Sequence, residues 1–175
     1  MPLELDFGPA AEAFRAEVRA WLEANKPKEL IGVNAEEAQR QRNPALSAWA
    51  KKLTEAGYMC VGWPKEYGGR GASHFQQLIF MEEASINGAP NGGQGADRLG
   101  PVLMIHGTQA QKDEHLPKIA RGEVNWCQGF SEPGSGSDLA SLQTQAVRDG
   151  DDYVITGEKI WTSEAEDSDY MILLA

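Results

Sequence analysis

Val124-Asn-Trp-Cys-Gln-Gly-Phe130, running straight into Ser131-Glu-Pro-Gly-Ser-Gly-Ser-Asp138, divides the chain into two kinds of sequence. Before residue 123, apolar residues recur every three or four positions. After it they fall in short runs between turn residues, as strands do. Upstream, Phe7, Ala11, Phe14, Val18, Trp21 and Leu22 line one face of a helix over 7–25, with Asp6 as its N-cap and Pro27 ending it. Residues 28–44 read as a connection. A second helix is expected over 45–56 on Leu46, Trp49, Ala50 and Leu53, with Gly57 closing it. Residues 62–71 hold four glycines and a proline and read as a loop pinned by Trp63 and Tyr67. A third helix is expected from an N-cap at Ser73 to residue 87, through Phe75, Leu78, Ile79 and Met81. A glycine-rich loop over 88–95 leads to a short apolar helix over 98–106. A fifth helix opens on the capping box Thr108-x-x-Gln111, carries Leu116 and Ile119, and ends at Gly122. Downstream, strands are expected over 124–130, 143–148, 152–156, 158–162 and 170–174, with Asp149-Gly150 turning a hairpin. Helices followed by strands predict an α+β chain. An all-α helical domain over 1–122 precedes an incomplete antiparallel β-barrel domain over 123–175. Tyr170-Met-Ile-Leu-Leu-Ala175 reads as a buried strand where chains are ordinarily polar and frayed, so the sequence is expected to be the front part of a longer protein.

Composition narrows the function. The 175 residues carry 16 Lys+Arg and 26 Asp+Glu, a net charge of −10 with His neutral. Such a surface repels phosphate backbones and anionic lipid, so neither nucleic acid nor a membrane surface is an expected partner. A hydrophobic fraction of 41% suffices for a packed core. The longest apolar runs, 78–81 and 170–175, fall far short of the about 20 residues a membrane span requires. The start, MPLELDFG, offers no basic region ahead of an apolar one, so a signal peptide is not expected. Two cysteines, Cys60 and Cys127, are too few for a disulfide framework and suit a reducing, cytoplasmic setting. His74, His106 and His115 are scattered, so no metal site is expected, and His106 is placed at a helix end. Glu82 and Glu83 point apart on a helix and read as a solvated face.

Two segments can carry chemistry. In Phe130-Ser-Glu-Pro-Gly-Ser-Gly-Ser-Asp138 small residues let backbone approach a ligand, and the Ser131, Ser135 and Ser137 hydroxyls with free N–H groups suit an anion such as a pyrophosphate. Asp138 is placed to cap a short helix after it. Leu139 stands where G-x-G-x-x-G/A needs a small residue, and no Gly-Lys-Ser/Thr occurs, so neither common nucleotide loop is present. In Gly157-Glu-Lys-Ile-Trp-Thr-Ser163, a strand ending in an aromatic and two hydroxyls offers a flat face beside hydrogen-bond donors, which a flavin ring requires. A tryptophan in the core of a small barrel is the competing reading.

Together these segments resemble the acyl-CoA dehydrogenase family. Gln128-Gly-Phe-Ser-Glu-Pro-Gly-Ser-Gly-Ser-Asp-Leu139 is similar to its first signature, and Gly157-Glu-Lys-Ile-Trp-Thr-Ser163 to its second flavin-contacting stretch. Gly-Trp-Pro-Lys-Glu-Tyr-Gly-Gly and His-Gly-Thr-Gln-Ala-Gln-Lys further upstream are family-like as well, so the resemblance covers nearly the whole chain. It implies FAD as cofactor, contacted by Gln128, Phe130, Ser131, Gly136, Ser137, Trp161, Thr162 and Ser163. Phe130 and Ser131 would meet the pyrimidine edge, Ser137 the pyrophosphate and the acyl-CoA, Trp161 the isoalloxazine, and Ser163 the region of N5. Gln128 replaces a common aromatic residue. Ser131 and Ser163 stand where many members have threonine, which keeps the hydroxyl with a freer rotamer. The implied reaction takes a proton from Cα of an acyl-CoA thioester and passes a hydride from Cβ to the flavin, giving a 2-enoyl-CoA. No residue here matches the family's base glutamate, so these 175 residues alone are expected to be inactive. The wording resembles the subgroup acting on bulky, branched or steroid-side-chain acyl-CoAs, with residues 88–103 expected to line the acyl pocket. The resemblance also implies an electron-transfer flavoprotein as acceptor and a homo- or hetero-oligomer. A non-catalytic partner chain that scaffolds a complete subunit is the alternative.

Overall fold

The computed structural model describes residues 8–30, 44–90 and 93–175. The chain forms two compact units, 1–123 and 124–175.

In the first unit, α1 spans Pro9–Asn25, α2 Pro44–Glu55, α3 His74–Ile86, α4 Gly100–His106 and α5 Gln109–Ala120. The expected stripe of α1 is the buried one, with Ala11, Phe14, Val18 and Leu22 inward. Its N-cap is Gly8, with no side-chain cap bond; Asp6, the expected cap, lies outside the described residues. Ser73 caps α3 and Thr108 caps α5. In both, the hydroxyl accepts from the N3 backbone, and Gln76 or Gln111 returns the bond. The short helix expected over 98–106 is α4 preceded by a π-helical turn over Gly95–Leu99. His106 ends α4 as expected.

α1 packs on α3, and an aromatic cluster ties both to α2 and to the residues just after it. Tyr58 stacks on Phe80 with centroids 5.0 Å apart and lies 4.8 Å from Trp21, which meets Trp49 at 5.3 Å. Arg70 lies over the Tyr58 ring at 4.6 Å and binds Glu17 at 2.6 Å, and the Tyr58 hydroxyl donates to the same carboxylate. The loop over 62–71 is pinned by Trp63, whose indole N–H donates to the Ala96 carbonyl at 2.9 Å. Gly100 is required there, since a methyl group on it would lie 1.8 Å from the Trp63 ring. Burial pushes the Cys60 thiol up to about 12, which leaves it an inert core residue.

α3 departs from its pattern. Of the expected apolar face only Ile79 is buried. Phe75, Leu78 and Met81 face outward, and the inner face is Ile79, Phe80, Glu83 and Ala84. Glu83 is 0% exposed, which corrects the solvated-face reading. Arg19 clamps it with two bonds, at 3.0 and 2.8 Å, and Arg15 adds a third at 3.0 Å. Arg15 also reaches exposed Glu82 at 2.6 Å. The Arg19 guanidinium above all, then Arg15, holds the Glu83 carboxyl below its ordinary range against the opposing effect of burial. Arg15 and Arg19 lie four apart on α1, so both reach one point on the helix packed against it.

In the second unit, β1 spans Trp126–Gly129, β2 Gln145–Asp149, β3 Asp152–Thr156 and β4 Tyr170–Leu173. β2 and β3 form the expected antiparallel hairpin. The turn lies one residue later than expected, on Gly150-Asp151, with Asp149 paired to Asp152. Gly150 takes φ 63°, which glycine alone adopts freely at the first position of such a turn. β1 pairs with β4 in parallel, Trp126 opposite Tyr170 with the rings stacked at 4.6 Å. The antiparallel sense expected of the barrel therefore holds in the hairpin but not in this pair. Among the described residues the strands form two separate pairs and do not close into a barrel. Residues 158–162 are not a strand. Among the described residues no helix is long and apolar enough to cross a membrane.

Glu83→Ala removes the buried partner of Arg15, 18% exposed, and of Arg19, 53% exposed. It is expected to lower the unfolding free energy by about 1.5–3 kcal/mol, as loss of hydrogen bonds to a charged group does. Glu82→Ala, at an exposed pair, is expected to change it by no more than about 0.5 kcal/mol. Denaturant unfolding of the two variants checks the contrast.

Candidate functional site

The two segments singled out in the sequence lie side by side within the second unit. The Ile160 N–H donates to the Ser131 carbonyl at 2.9 Å. The Lys159 ammonium donates to the Phe130 carbonyl at 3.0 Å and to Glu132 Oε1 at 2.8 Å. Residues 130–132 and 159–160 are thereby fixed against each other. Glu132 extends the staple to a third segment. Its Oε2 accepts from the Gln143 N–H at 2.6 Å and its Oε1 from the Thr144 N–H at 2.9 Å. The Glu132 and Lys159 side chains are 7% and 9% exposed. The Lys159 ammonium first, with the hydrogen bonds from residues 143 and 144, holds the Glu132 carboxyl down to about 2.

These bonds explain two departures from the expected strands. The second strand begins at Gln145 rather than 143, because the backbone N–H groups of Gln143 and Thr144 bind a carboxylate. No strand forms over 158–162, because Lys159 and Ile160 donate to the Phe130–Ser131 backbone and Trp161 turns the chain with φ 56°.

The turn after Ser131 is tight. Glu132 and Ser135 exchange two backbone bonds, of 2.7 and 3.0 Å, around Pro133-Gly134. Ser135 is buried and its hydroxyl donates to the Asp138 carbonyl at 2.8 Å, so it is withdrawn from the anion-binding role the sequence suggested. The Asp138 side chain makes no cap bond to the 3-10 turn Leu139–Ser141; its carbonyl accepts from Ser141 instead. Gly136 and Ser137 are exposed, and a methyl group on Gly134 or Gly136 would meet no atom within 4 Å. The bend is thus open on the side a ligand would approach.

Trp161 is 88% exposed, which overturns the reading of a barrel-core tryptophan. Its left-handed backbone is costly for a bulky residue and is held by the Ile160 bond before it and by the Ser163 N–H, which donates to the Trp161 carbonyl at 3.1 Å. Ser163 is exposed beside it, and Thr162 Oγ1 is buried with no partner among the described residues. Gln128 sits half-buried in β1 opposite Ile172. The structure therefore brings Phe130 and Ser131 close to the 160–163 segment, while Gly136 and Ser137 sit on the exposed bend beyond the Glu132–Ser135 turn. An open cleft of about 420 Å³ adjoins Glu132, between Pro133, Gly134, Gln143 and Gly157; none of the expected site residues lines it.

The sequence reading passed over Glu132 and Lys159, although both lie inside the quoted motifs. The available signal was weak: an acidic side chain in one motif and a basic one in the other, each accompanied by a further carboxylate, Asp138 and Glu158. Their pairing across 27 positions is a tertiary fact.

Residues 8–123 match the family model described as acyl-CoA dehydrogenase, N-terminal domain, and residues 127–175 match acyl-CoA dehydrogenase, middle domain. The chain is 43% identical over 169 residues to the acyl-CoA dehydrogenase IpdE1 of Mycobacterium tuberculosis, covering 94% of this chain and 44% of that protein. It is 38% identical to the acyl-CoA dehydrogenase FadE26 of the same organism, covering 98% of this chain and 43% of that one. The ChsE4-ChsE5 complex from Mycobacterium tuberculosis contains a similar chain, with a TM-score of 0.80 at 38% identity over 98% of this chain and 43% of that chain. The Tcur3481-Tcur3483 steroid ACAD is similar as well, with a TM-score of 0.77 at 37% identity over 98% of this chain and 44% of that chain. The chain thus spans less than half the length of these relatives.

Glu132 has its carboxyl pKa lowered from 4.5 to about 2 by folding. A depressed carboxyl stabilises the fold fully above its unfolded value and loses that contribution as pH falls toward the folded one. The stability difference between the wild type and Glu132→Gln is therefore expected to hold constant above about pH 5 and to shrink as pH falls from about 4.5 to 2. Urea unfolding across that range checks the sign.

Proposed function

The chain belongs to the acyl-CoA dehydrogenase family, and from that premise we propose that the protein carrying it is an FAD-dependent dehydrogenase that converts an acyl-CoA thioester to its 2-enoyl-CoA. The observation that carries the reading is the solvent-facing Trp161 indole, held in left-handed backbone by a segment bonded to the Phe130–Ser131 edge. The residues present suit a flavin. An exposed aromatic face, an open glycine bend and an unpartnered Thr162 hydroxyl lie in one unit. FAD, when bound, supplies the acceptor for the hydride that leaves substrate Cβ.

The chain's own residues bind and orient. The carbonyls of Phe130 and Ser131 each accept one bond, from Lys159 and Ile160, and the Ser131 hydroxyl is the donor this edge offers a ligand. A donor suits the carbonyl oxygens of a pyrimidine ring. Gly136 and Ser137 present backbone and a hydroxyl to the pyrophosphate and the acyl-CoA. The Trp161 ring would keep water from one side of the isoalloxazine, with the Ser163 hydroxyl toward N5 and Thr162 and Gln128 among the further contacts. Removal of the Cα proton falls to a glutamate outside these 175 residues, on a helical domain that follows the 1–122 and 123–175 domains. Such a base contributes typically about 10²–10⁴-fold.

The two-chain complexes among the solved relatives support a hetero-oligomer, and the steroid ACAD among them supports a bulky acyl chain such as a steroid side chain. Residues 88–103, which include the π-helical turn, line the acyl pocket in this reading. Electrons pass on to an electron-transfer flavoprotein. The two free, buried cysteines suit the cytoplasm. A second reading, a non-catalytic chain that completes a partner subunit, is favoured by the same two-chain complexes.

Purified protein carrying this sequence is expected to be yellow and to reduce an artificial acceptor when given an acyl-CoA. The 175 residues alone are expected to show no turnover. Colourless protein that binds no FAD overturns the dehydrogenase reading, and bound FAD without turnover in the whole protein favours the second. Gly136→Val projects into open space, so its thermal midpoint is expected to stay within the range of a neutral surface change while FAD binding weakens about tenfold. Calorimetry and flavin titration separate the two effects.

A further inference from the structure

Lys159 belongs to the 157–163 segment, and its side chain binds the 130–132 segment of the proposed flavin site. It stands two residues before Trp161, and its Nζ reaches back to the Phe130 carbonyl at 3.0 Å and the Glu132 carboxylate at 2.8 Å. With 9% of its side chain exposed, it is no substrate-capturing surface charge. The pair has a fold role, since it satisfies the Gln143 and Thr144 N–H groups and the Phe130 carbonyl; its place between the two motifs gives it a second. A buried charge pair does what an apolar pair does not: it sets a polar distance between two backbone segments and cancels a carboxylate placed beside one of them.

We infer that Lys159 is a positioning residue for the flavin, fixing the Phe130–Ser131 edge against the Trp161–Ser163 segment and neutralising Glu132 next to that edge. The inference rests on the flavin reading of the site. Without the ammonium, Glu132 keeps only the N–H groups of Gln143 and Thr144. The Phe130 carbonyl loses its donor, and the 159–161 segment keeps a single bond to the edge, from Ile160 to Ser131. An uncompensated negative charge beside the pyrimidine edge opposes the electron density that reduction places there.

The test uses the FAD-loaded protein that carries this sequence, with Lys159→Met, Lys159→Arg and the double variant Lys159→Met/Glu132→Gln. In Lys159→Met, FAD binding is expected to weaken roughly tenfold or more, as for loss of a charge-assisted hydrogen bond. Its visible absorption bands should shift and its midpoint potential should move negative. Lys159→Arg should restore all three, and the double variant should return the potential toward the wild-type value. A Lys159→Met protein that holds FAD with unchanged affinity, spectrum and potential overturns the inference while leaving the flavin reading intact. Where Lys159→Met holds no FAD, retention by both Lys159→Arg and the double variant supports it. Loss of FAD in the double variant as well reduces the pair to a folding element and overturns it. A wild-type protein without flavin removes both readings.

Discussion

The buried contact between Glu132 and Lys159 organises the second unit. Taking two charges out of water is costly, and the attraction between them offsets that cost only when their remaining hydrogen-bonding capacity is filled. Here it is filled from the backbone: two N–H groups bind the carboxylate and one carbonyl binds the ammonium. The β1–β4 pair is a second long-range tie in the unit. Its strands form two separate two-stranded pairs, and such pairs are marginal by themselves. The polar staple joins three irregular segments, around residues 130–132, 143–144 and 159–160, that have no ladder between them.

The same device appears in the first unit, where Glu83 lies fully buried between Arg15 and Arg19. Both cases explain where a sequence reading stops. Hydrophobic periodicity sorts residues into inward and outward sets and assigns charge to the outside. The rule holds for α1, whose stripe of Ala11, Phe14, Val18 and Leu22 is buried as expected. It fails for α3, whose inner face includes a carboxylate while Phe75, Leu78 and Met81 turn out. The partners of Glu83 lie more than sixty positions upstream, and no local pattern on α3 announces them.

Local chemistry was legible at the two capping boxes but not at Asp138, whose expected side-chain cap bond is absent. The capping boxes at Ser73 and Thr108 close over three residues and are present as expected. The Asp-Gly hairpin is present with its turn displaced by one position, because Gly150 rather than Asp149 takes the positive φ. For the candidate site, the two motifs and the small residues Gly136 and Ser137 are readable from residue type, whereas Trp161 left a flavin face and a barrel core both open until the fold exposed it. The sequence did not reveal which groups were already engaged elsewhere. The Ser135 hydroxyl, the Gln143 and Thr144 N–H groups and the Phe130 and Ser131 carbonyls all carry ligand-binding chemistry in isolation, and each is committed internally.

With those groups committed, Trp161 stands out as a feature that folding does not explain. A left-handed backbone at a bulky residue costs on the order of 1–3 kcal/mol and persists only where its surroundings impose it. Folding alone would favour turning so large an apolar surface inward, and the exposed indole gives the opposite result. The residue before it is bonded to the Ser131 carbonyl, and the residue two after it donates back to its own carbonyl, so the strain is held from both sides. In the flavin reading proposed above, a planar ligand would cover the ring, with the exposed Ser163 hydroxyl beside it. In that reading the Glu132–Lys159 staple also anchors the segment from which the indole projects.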